Sequence, residues 1–177
     1  MPLSGRSIST ALAALGLVAA SATPARADIT AFLGTARQSV TASSTPGLAS
    51  PTVGQTVTGA AFGMGLLVVG FEIEGAAHVE DTANQVPGLK TGMANVMVQT
   101  PTGGAQLYAT TGAGIFHETL GTASDTNVAT NIGGGVKIAL AGPLRLRVDY
   151  RLIHLRGRTT TADANVQRFY VGLNLKF

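Results

Sequence analysis

Charged residues recur at every second position within apolar segments of this chain, and they are its strongest candidates for chemistry. In residues 144–152, each odd-numbered side chain is charged and each even-numbered one is apolar or aromatic. A β-strand sends alternate side chains to opposite faces, so these charges would share one face. The charged residues in such positions are Glu72, Glu74, Lys137, Arg145, Arg147, Asp149, Arg151 and Arg168. Buried charges are costly unless they are paired, so we predict a network of ion pairs.

This network has two interpretations. Counted from the nearest short turn, Glu72 and Arg145 lie about two residues up their strands, and Glu74, Arg147 and Lys137 about four. Asp149, Arg151 and Arg168 lie somewhat higher. The interior of an eight-stranded barrel is narrow enough for side chains to fill. The network is therefore either a structural polar core or the lining of a narrow path for ions.

Other reactive residue types give weaker signals. His78, His117 and His154 lie near strand ends, but His78 falls on the inward parity and the other two on the outward parity, so we expect no metal site. An acyl-transfer site needs an activated hydroxyl beside a base. The mature serines, at positions 39, 43, 44, 50 and 124, all fall in predicted loops, so we expect no enzyme. The glycines at 133–135 open no helix, which argues against phosphate binding, and no cofactor is predicted.

The elements that would position the charges are strands with an alternating pattern. We predict eight of them, at residues 29–37, 57–67, 69–79, 89–99, 105–118, 128–141, 144–156 and 166–177. Each is close to or above the 9–11 residues that a tilted strand needs to cross a bilayer. The predicted connections alternate between long and short, with long ones at 38–56, 80–88, 119–127 and 157–165. This wiring is typical of an up-and-down transmembrane barrel whose short turns face the periplasm.

The first 27 residues read as a cleaved secretory signal peptide. Arg6 is followed by an apolar run and an Ala25-Arg26-Ala27 cleavage site, so the mature domain would span residues 28–177. No cysteine is present, which excludes disulfides. Without Arg6 and Arg26, ten Lys/Arg face nine Asp/Glu, and this net charge of +1 gives nucleic-acid binding little electrostatic support.

The low charge content decides which face of the barrel is polar. Alternation alone also fits a soluble, lipocalin-like barrel with an apolar interior. Only 12% of residues are charged, about half the usual share of a soluble domain. We therefore predict an apolar face toward lipid and a polar lumen.

The last three strands resemble a known family. Residues 131–137, 142–151 and 169–177 read NIGGGVK, GPLRLRVDYR and FYVGLNLKF. They are similar to the outer-membrane β-barrel domain family of small eight-stranded barrels such as OmpX and the OmpA membrane domain. The resemblance implies location in the outer membrane and insertion by the barrel-assembly machinery, which recognises a last strand with a terminal aromatic residue, here Phe177. It implies no shared catalytic residues.

The expected role is that of an integral outer-membrane protein, structural or surface-exposed, with a plugged polar lumen. Outer-membrane lipid is the expected partner, and the protein is expected to be a monomer that does not bind nucleic acid. Two alternatives stay open: a narrow pore for small solutes or ions, and surface binding or adhesion through the loop at 38–56.

Overall fold

The computed structural model describes residues 26–40, 52–66, 68–81, 86–101, 103–157 and 162–177. These residues form eight strands: β1 (Arg26–Val40), β2 (Thr52–Leu66), β3 (Val69–His78), β4 (Gly88–Gln99), β5 (Ala105–Leu120), β6 (Ala123–Ala141), β7 (Leu144–Leu155) and β8 (Ala162–Lys176). Each predicted segment corresponds to one strand, which confirms the all-β prediction. Within the described ranges, no helix has the length and hydropathy that a membrane span requires.

The sheet closes on itself. Every strand pairs antiparallel with the next, and β1 pairs with β8. At this seam the two strands are paired from Asp28 opposite Lys176 to Gln38 opposite Val166. Closure removes the unpaired edges that would otherwise invite aggregation. The strand that leads to Phe177 is therefore the closing strand of an up-and-down barrel, as predicted.

The two faces of the wall are inverted relative to a water-soluble protein. On β3, Phe71 and Ile73 are 50% and 69% exposed, whereas Glu72 and Glu74 are buried. The outward row of β8 is apolar from Phe169 to Phe177. For a strand tilted by ~40°, this row spans roughly 20–25 Å along the barrel axis, close to the apolar band of membrane barrels.

The barrel has two unlike ends. The connections from β2 to β3, from β4 to β5 and from β6 to β7 are short, and they join strand ends on the side where β1 begins and β8 finishes, which we call the terminal end. The remaining connections join strand ends on the opposite side, which we call the loop end.

The prediction of an external loop at residues 119–127 is wrong. Instead β5 and β6 continue as a paired hairpin closed by Gly121 and Thr122, with Gly121 at a φ of 60°. The polar composition of this segment suggested a loop, but its backbone groups pair across the hairpin beyond the apolar band. Glycine suits the left-handed turn because it has no Cβ. The strands also reach Val40 and begin at Thr52, so the predicted loop at 38–56 is shorter, and residues 41–51 lie outside the described ranges.

The lumen is not polar throughout, which corrects the prediction of a polar interior. Toward the loop end, inward positions carry a cluster of buried apolar side chains that we call the apolar layer. Its members are Val57, Leu89, Phe116, Ala129, Ile153, Leu155 and Val166, each at most 2% exposed. A barrel this narrow has its interior filled by side chains, so inward positions can carry apolar residues as a protein core does.

Candidate functional site

The charged side chains meet in the half of the lumen nearer the terminal end. The key strands are β3 and β7, which are four strands apart in either direction and so face each other across the barrel. We call the central set the lumenal charge network. It consists of Glu72, Glu74, Asp149, Arg147, Arg151 and Arg168, each at most 2% exposed. Three guanidinium groups thus face three carboxylates, and the set is neutral overall.

Arg147 ties three parts of the wall together. Its Nη1 forms an ion pair with Glu72 Oε2 across the lumen, and its Nη2 lies 2.9 Å from Asp149 Oδ2 on its own strand. Its Nε donates to Tyr108 Oη at 2.7 Å, and that hydroxyl donates to Asp149. Charge-assisted bonds of this kind are about twice as strong as neutral ones.

Arg151 bridges all three carboxylates. Its Nη2 donates to Glu72 Oε1 at 2.7 Å, and its Nε donates to Asp149 Oδ1 at 3.0 Å. Its Nη1 lies 2.9 Å from Glu74 Oε2, an ion-pair distance without hydrogen-bond alignment. Because Arg151 is shared among three acids, no carboxylate of the network can be removed without leaving buried positive charge.

Arg168 completes the network on β8. Its Nη1 donates to Glu74 Oε1 at 2.8 Å, and its Nη2 donates to Thr91 Oγ1 on β4 at 3.0 Å. Tyr170 adds a hydroxyl that donates to Glu74 Oε2 at 3.3 Å, while its ring stacks on Phe32 with centroids 4.0 Å apart. Tyr170 therefore connects the charge network to apolar packing, since its hydroxyl contacts Glu74 and its ring contacts Phe32.

Several neutral residues of the site were not singled out from the sequence. Tyr108, Thr30, Thr91 and Asn95 each contact a charged member of the network, and Asn95 Nδ2 donates to Glu72 Oε1 at 3.3 Å. The sequence feature that could have identified them is that each lies on the inward parity of its strand. Tyr108, for example, alternates in phase with Gln106 and Thr110, which are also buried.

The other two predicted residues lie beside the network rather than in it. Lys137 pairs with Asp28 on β1, with Nζ 2.6 Å from Oδ2, and this carboxylate was not among the predicted residues. Arg145 is half-buried nearer the terminal end, and its Nη1 donates to Gln106 Oε1 at 3.0 Å instead of to a carboxylate.

Two glycines of β6 make room for the network. A Cβ at Gly133 would lie 2.8 Å from Arg151 Cγ, and a Cβ at Gly135 would lie 2.5 Å from Tyr108 Oη. Both would also meet backbone oxygens of β7 at 2.3 and 2.2 Å. The absent side chains let a tyrosine and an arginine lie against the wall of a tightly curved barrel.

The histidines lie apart from one another. His78 is buried inside the loop end, whereas His117 and His154 face outward, where their Nδ1 atoms lie 2.7 Å from Thr126 Oγ1 and 3.0 Å from Asn165 Oδ1. Among the described residues, no three His, Asp or Glu side chains are grouped as a metal site. The serine prediction needs correction, because Ser39 and Ser124 lie in β1 and β6 where these strands extend beyond the apolar band.

A closed eight-stranded barrel with an apolar outside and a buried charge network inside is the architecture of a small membrane barrel. Residues 8–177 match the family model of the outer membrane protein beta-barrel domain. The chain belongs to this family. Proteins of this family are outer-membrane proteins. In such barrels the short turns face the periplasm and the longer loops the cell exterior, and by this rule the terminal end is the periplasmic one. None of the curated proteins matches this chain in sequence.

Solved structures agree with this family assignment. Neisserial surface protein A is 15% identical, has a TM-score of 0.70 and aligns over 88% of this chain and 100% of its own. The N-terminal barrel of Pseudomonas aeruginosa OprF is 14% identical with a TM-score of 0.58, over 86% and 97% of the two chains. Ail of Yersinia pestis is 13% identical with a TM-score of 0.53, over 88% and 100%. At these identities the likeness concerns the fold.

Proposed function

We propose that this protein is an outer-membrane barrel with a closed lumen, and that its role is structural or surface-exposed rather than in transport or catalysis. The observation that carries the proposal is the presence of two successive barriers inside one narrow barrel. The lumenal charge network occupies the half nearer the periplasm, and the apolar layer occupies the half nearer the exterior.

The charge network opposes conduction because its guanidinium groups and carboxylates are already paired with one another. An entering ion would have to replace contacts of Arg147 or Arg151 that are made with buried carboxylates on two different strands. Separating such pairs in a low-dielectric interior is expensive. The network therefore favours a rigid plug that holds opposite walls together.

The apolar layer adds an independent barrier. Ions cross hydrophobic constrictions poorly because water itself leaves them. Phe116, Ile153, Leu155 and Val166 are each 1% exposed, so this part of the lumen is packed with side chains. A path gated by the charges alone would still be blocked here.

Single-channel recording in planar bilayers tests the proposal directly. Heat-modifiable migration on gels first establishes that the wild type and a Glu72→Gln, Glu74→Gln variant are folded barrels. We expect no channel steps from the wild-type barrel in these recordings. Lys90→Gln, which removes a charge from the outer face, serves as the matched control. Steps in the wild type whose ion selectivity changes in the double variant, and not in the control, would establish the alternative of a narrow pore.

The remaining expectations are proposals with tests of their own. A leader cleaved before Asp28 predicts that the mass of the protein from outer membranes matches residues 28–177. Assembly through the terminal aromatic predicts that Phe177→Ala lowers the amount of folded protein in that membrane.

A monomer predicts one barrel per particle in light scattering. Surface binding through the segment at 38–56 would require that its deletion abolish binding to cells while the barrel still folds.

A further inference from the structure

The outer wall carries a groove whose lining is unlike the rest of the apolar band. It lies across β7, β8 and β1, has a volume of about 260 Å³ and is lined by Thr35, Arg37, Tyr150, Gln167 and Phe169. All five side chains face outward on the exposed parity of their strands. We call it the outer-wall groove.

Strand register gives the groove an apolar floor and a polar upper edge. Thr35, Phe169 and Tyr150 are neighbours across three strands, whereas Arg37 pairs with Gln167 one step closer to the loop end. Tyr150 Oη donates to Gln167 Oε1 at 3.3 Å, which joins the aromatic floor to the polar edge. Below the groove, Val171, Leu173 and Leu33 continue the apolar band toward the terminal end. The groove therefore spans the boundary between hydrocarbon and headgroups in the outer leaflet.

Arg37 is the charge at this boundary. Its side chain is exposed, and within the described part of the chain it takes part in no ion pair. A cation at headgroup depth attracts anionic lipid, and an interfacial tyrosine presents an apolar ring to the chains and a hydroxyl to the headgroups.

We propose that the outer-wall groove binds one phosphate-bearing lipid of the outer leaflet. An acyl chain lies along Tyr150 and Phe169, and the phosphate is bound by Arg37 with Gln167 beside it. Charge complementarity selects this occupant over a second barrel, because the same groove on a second copy contains no carboxylate that could pair with Arg37.

Native mass spectrometry of the folded protein in detergent tests the proposal, with lipid A bearing two phosphates as the probe and diacylglycerol as a phosphate-free lipid. The wild type is expected to retain one lipid A and to release diacylglycerol. Arg37→Gln should weaken retention by roughly fivefold, the effect of one cation near a membrane surface. Thr35→Trp, which fills the floor, should also weaken it.

Lys90→Gln is the matched control, because Lys90 is an exposed, outward-facing cation near the loop end on β4, four strands from β8. It should retain lipid A as the wild type does. Equal losses in the two charge variants would overturn the proposal by showing general electrostatic attraction. Equal retention of diacylglycerol and lipid A by the wild type would overturn it as well. Heat-modifiable gel migration shows whether each variant is folded before its lipid is counted.

Discussion

The two halves of the lumen share one wall and one alternation of side chains, yet they carry different clusters, a charge network in one half and the apolar layer beside the buried Gln38, His78 and Glu118 in the other. On β7 the inward row changes from Arg147, Asp149 and Arg151 to Ile153 and Leu155 within a few residues. The charged half depends on having complementary partners, because a buried charge that loses its partner remains costly. The apolar half depends on volume, because its contacts are many, weak and interchangeable. The same barrel therefore has one region sensitive to single charges and one sensitive to cavities.

Removing one acid from the charged half should give the largest effect. Glu72→Gln leaves Arg147 and Arg151 with two carboxylates among three guanidinium groups, and we expect a loss of about 3–5 kcal/mol in the free energy of unfolding. Urea titration in lipid vesicles, followed by gel migration, measures this loss. The double variant Glu72→Gln, Arg147→Gln should cost less than the sum of the two single variants, since both partners leave together. Additive costs would contradict an interlocked network.

Cavity formation in the apolar half should come next. Ile153→Ala removes a side chain that is 1% exposed, and we expect a loss of about 2–4 kcal/mol, measured by the same titration. The matched control is Ile73→Ala, which removes the same atoms from a side chain that is 69% exposed on the outer face and should cost much less. Bilayer recordings should still show no channel, because the charge network remains intact. A conducting Ile153→Ala barrel would mean that the apolar layer alone closes the lumen.

Sequence reasoning predicted the faces of the wall but not the partners within it. Parity placed Glu72 and Arg147 on the same face of the wall, since one residue of slip would reverse the face of a whole strand, and the low charge content assigned that face to the inside. Residue counts placed Glu72 at the height of Arg145, yet Glu72 contacts Arg147 and Arg151. The tilt and stagger of a closed barrel shift heights between strands, and a single sequence carries little information on that stagger.

The same limit explains the elements that sequence reasoning missed. Polar residues at 119–127 resemble a loop, although backbone pairing with a two-residue turn gives a hairpin. The apolar layer was not predicted, although Ile153 and Leu155 share the inward parity of Arg151, because a polar lumen was expected along its whole length. Tyr108 is an aromatic residue on an inward parity. Only its neighbours across the lumen reveal that its hydroxyl takes part in the charge network, where it accepts a hydrogen bond from Arg147.

Adding a methyl group to a glycine in the wall of the charged half should lower the free energy of unfolding by an intermediate amount. In Gly135→Ala the new Cβ would lie 2.5 Å from Tyr108 Oη and 2.2 Å from a backbone oxygen of β7, so we expect a loss of about 1–3 kcal/mol in urea titration. Gly75→Ala is the control, since a Cβ at that outward position meets nothing within 4 Å. Equal costs for the two variants would indicate that strand curvature, rather than room for Tyr108, explains the glycine.

The smallest change in the free energy of unfolding is expected at the edge of the network. Measuring it shows where the charged half of the lumen ends. Arg145 lies two residues from Arg147 on the same face of β7, but it is half-buried and donates to the neutral side chain of Gln106. Arg145→Gln should therefore change the free energy of unfolding by less than about 0.5 kcal/mol, whereas Arg147→Gln removes a fully buried partner of two carboxylates. Since both variants replace the same charge with the same amide, their difference in urea titration isolates the contribution of burial and pairing. Similar costs at the two positions would mean that the network extends to the terminal end of the barrel, and that positive charge anywhere along this inward row is equally constrained.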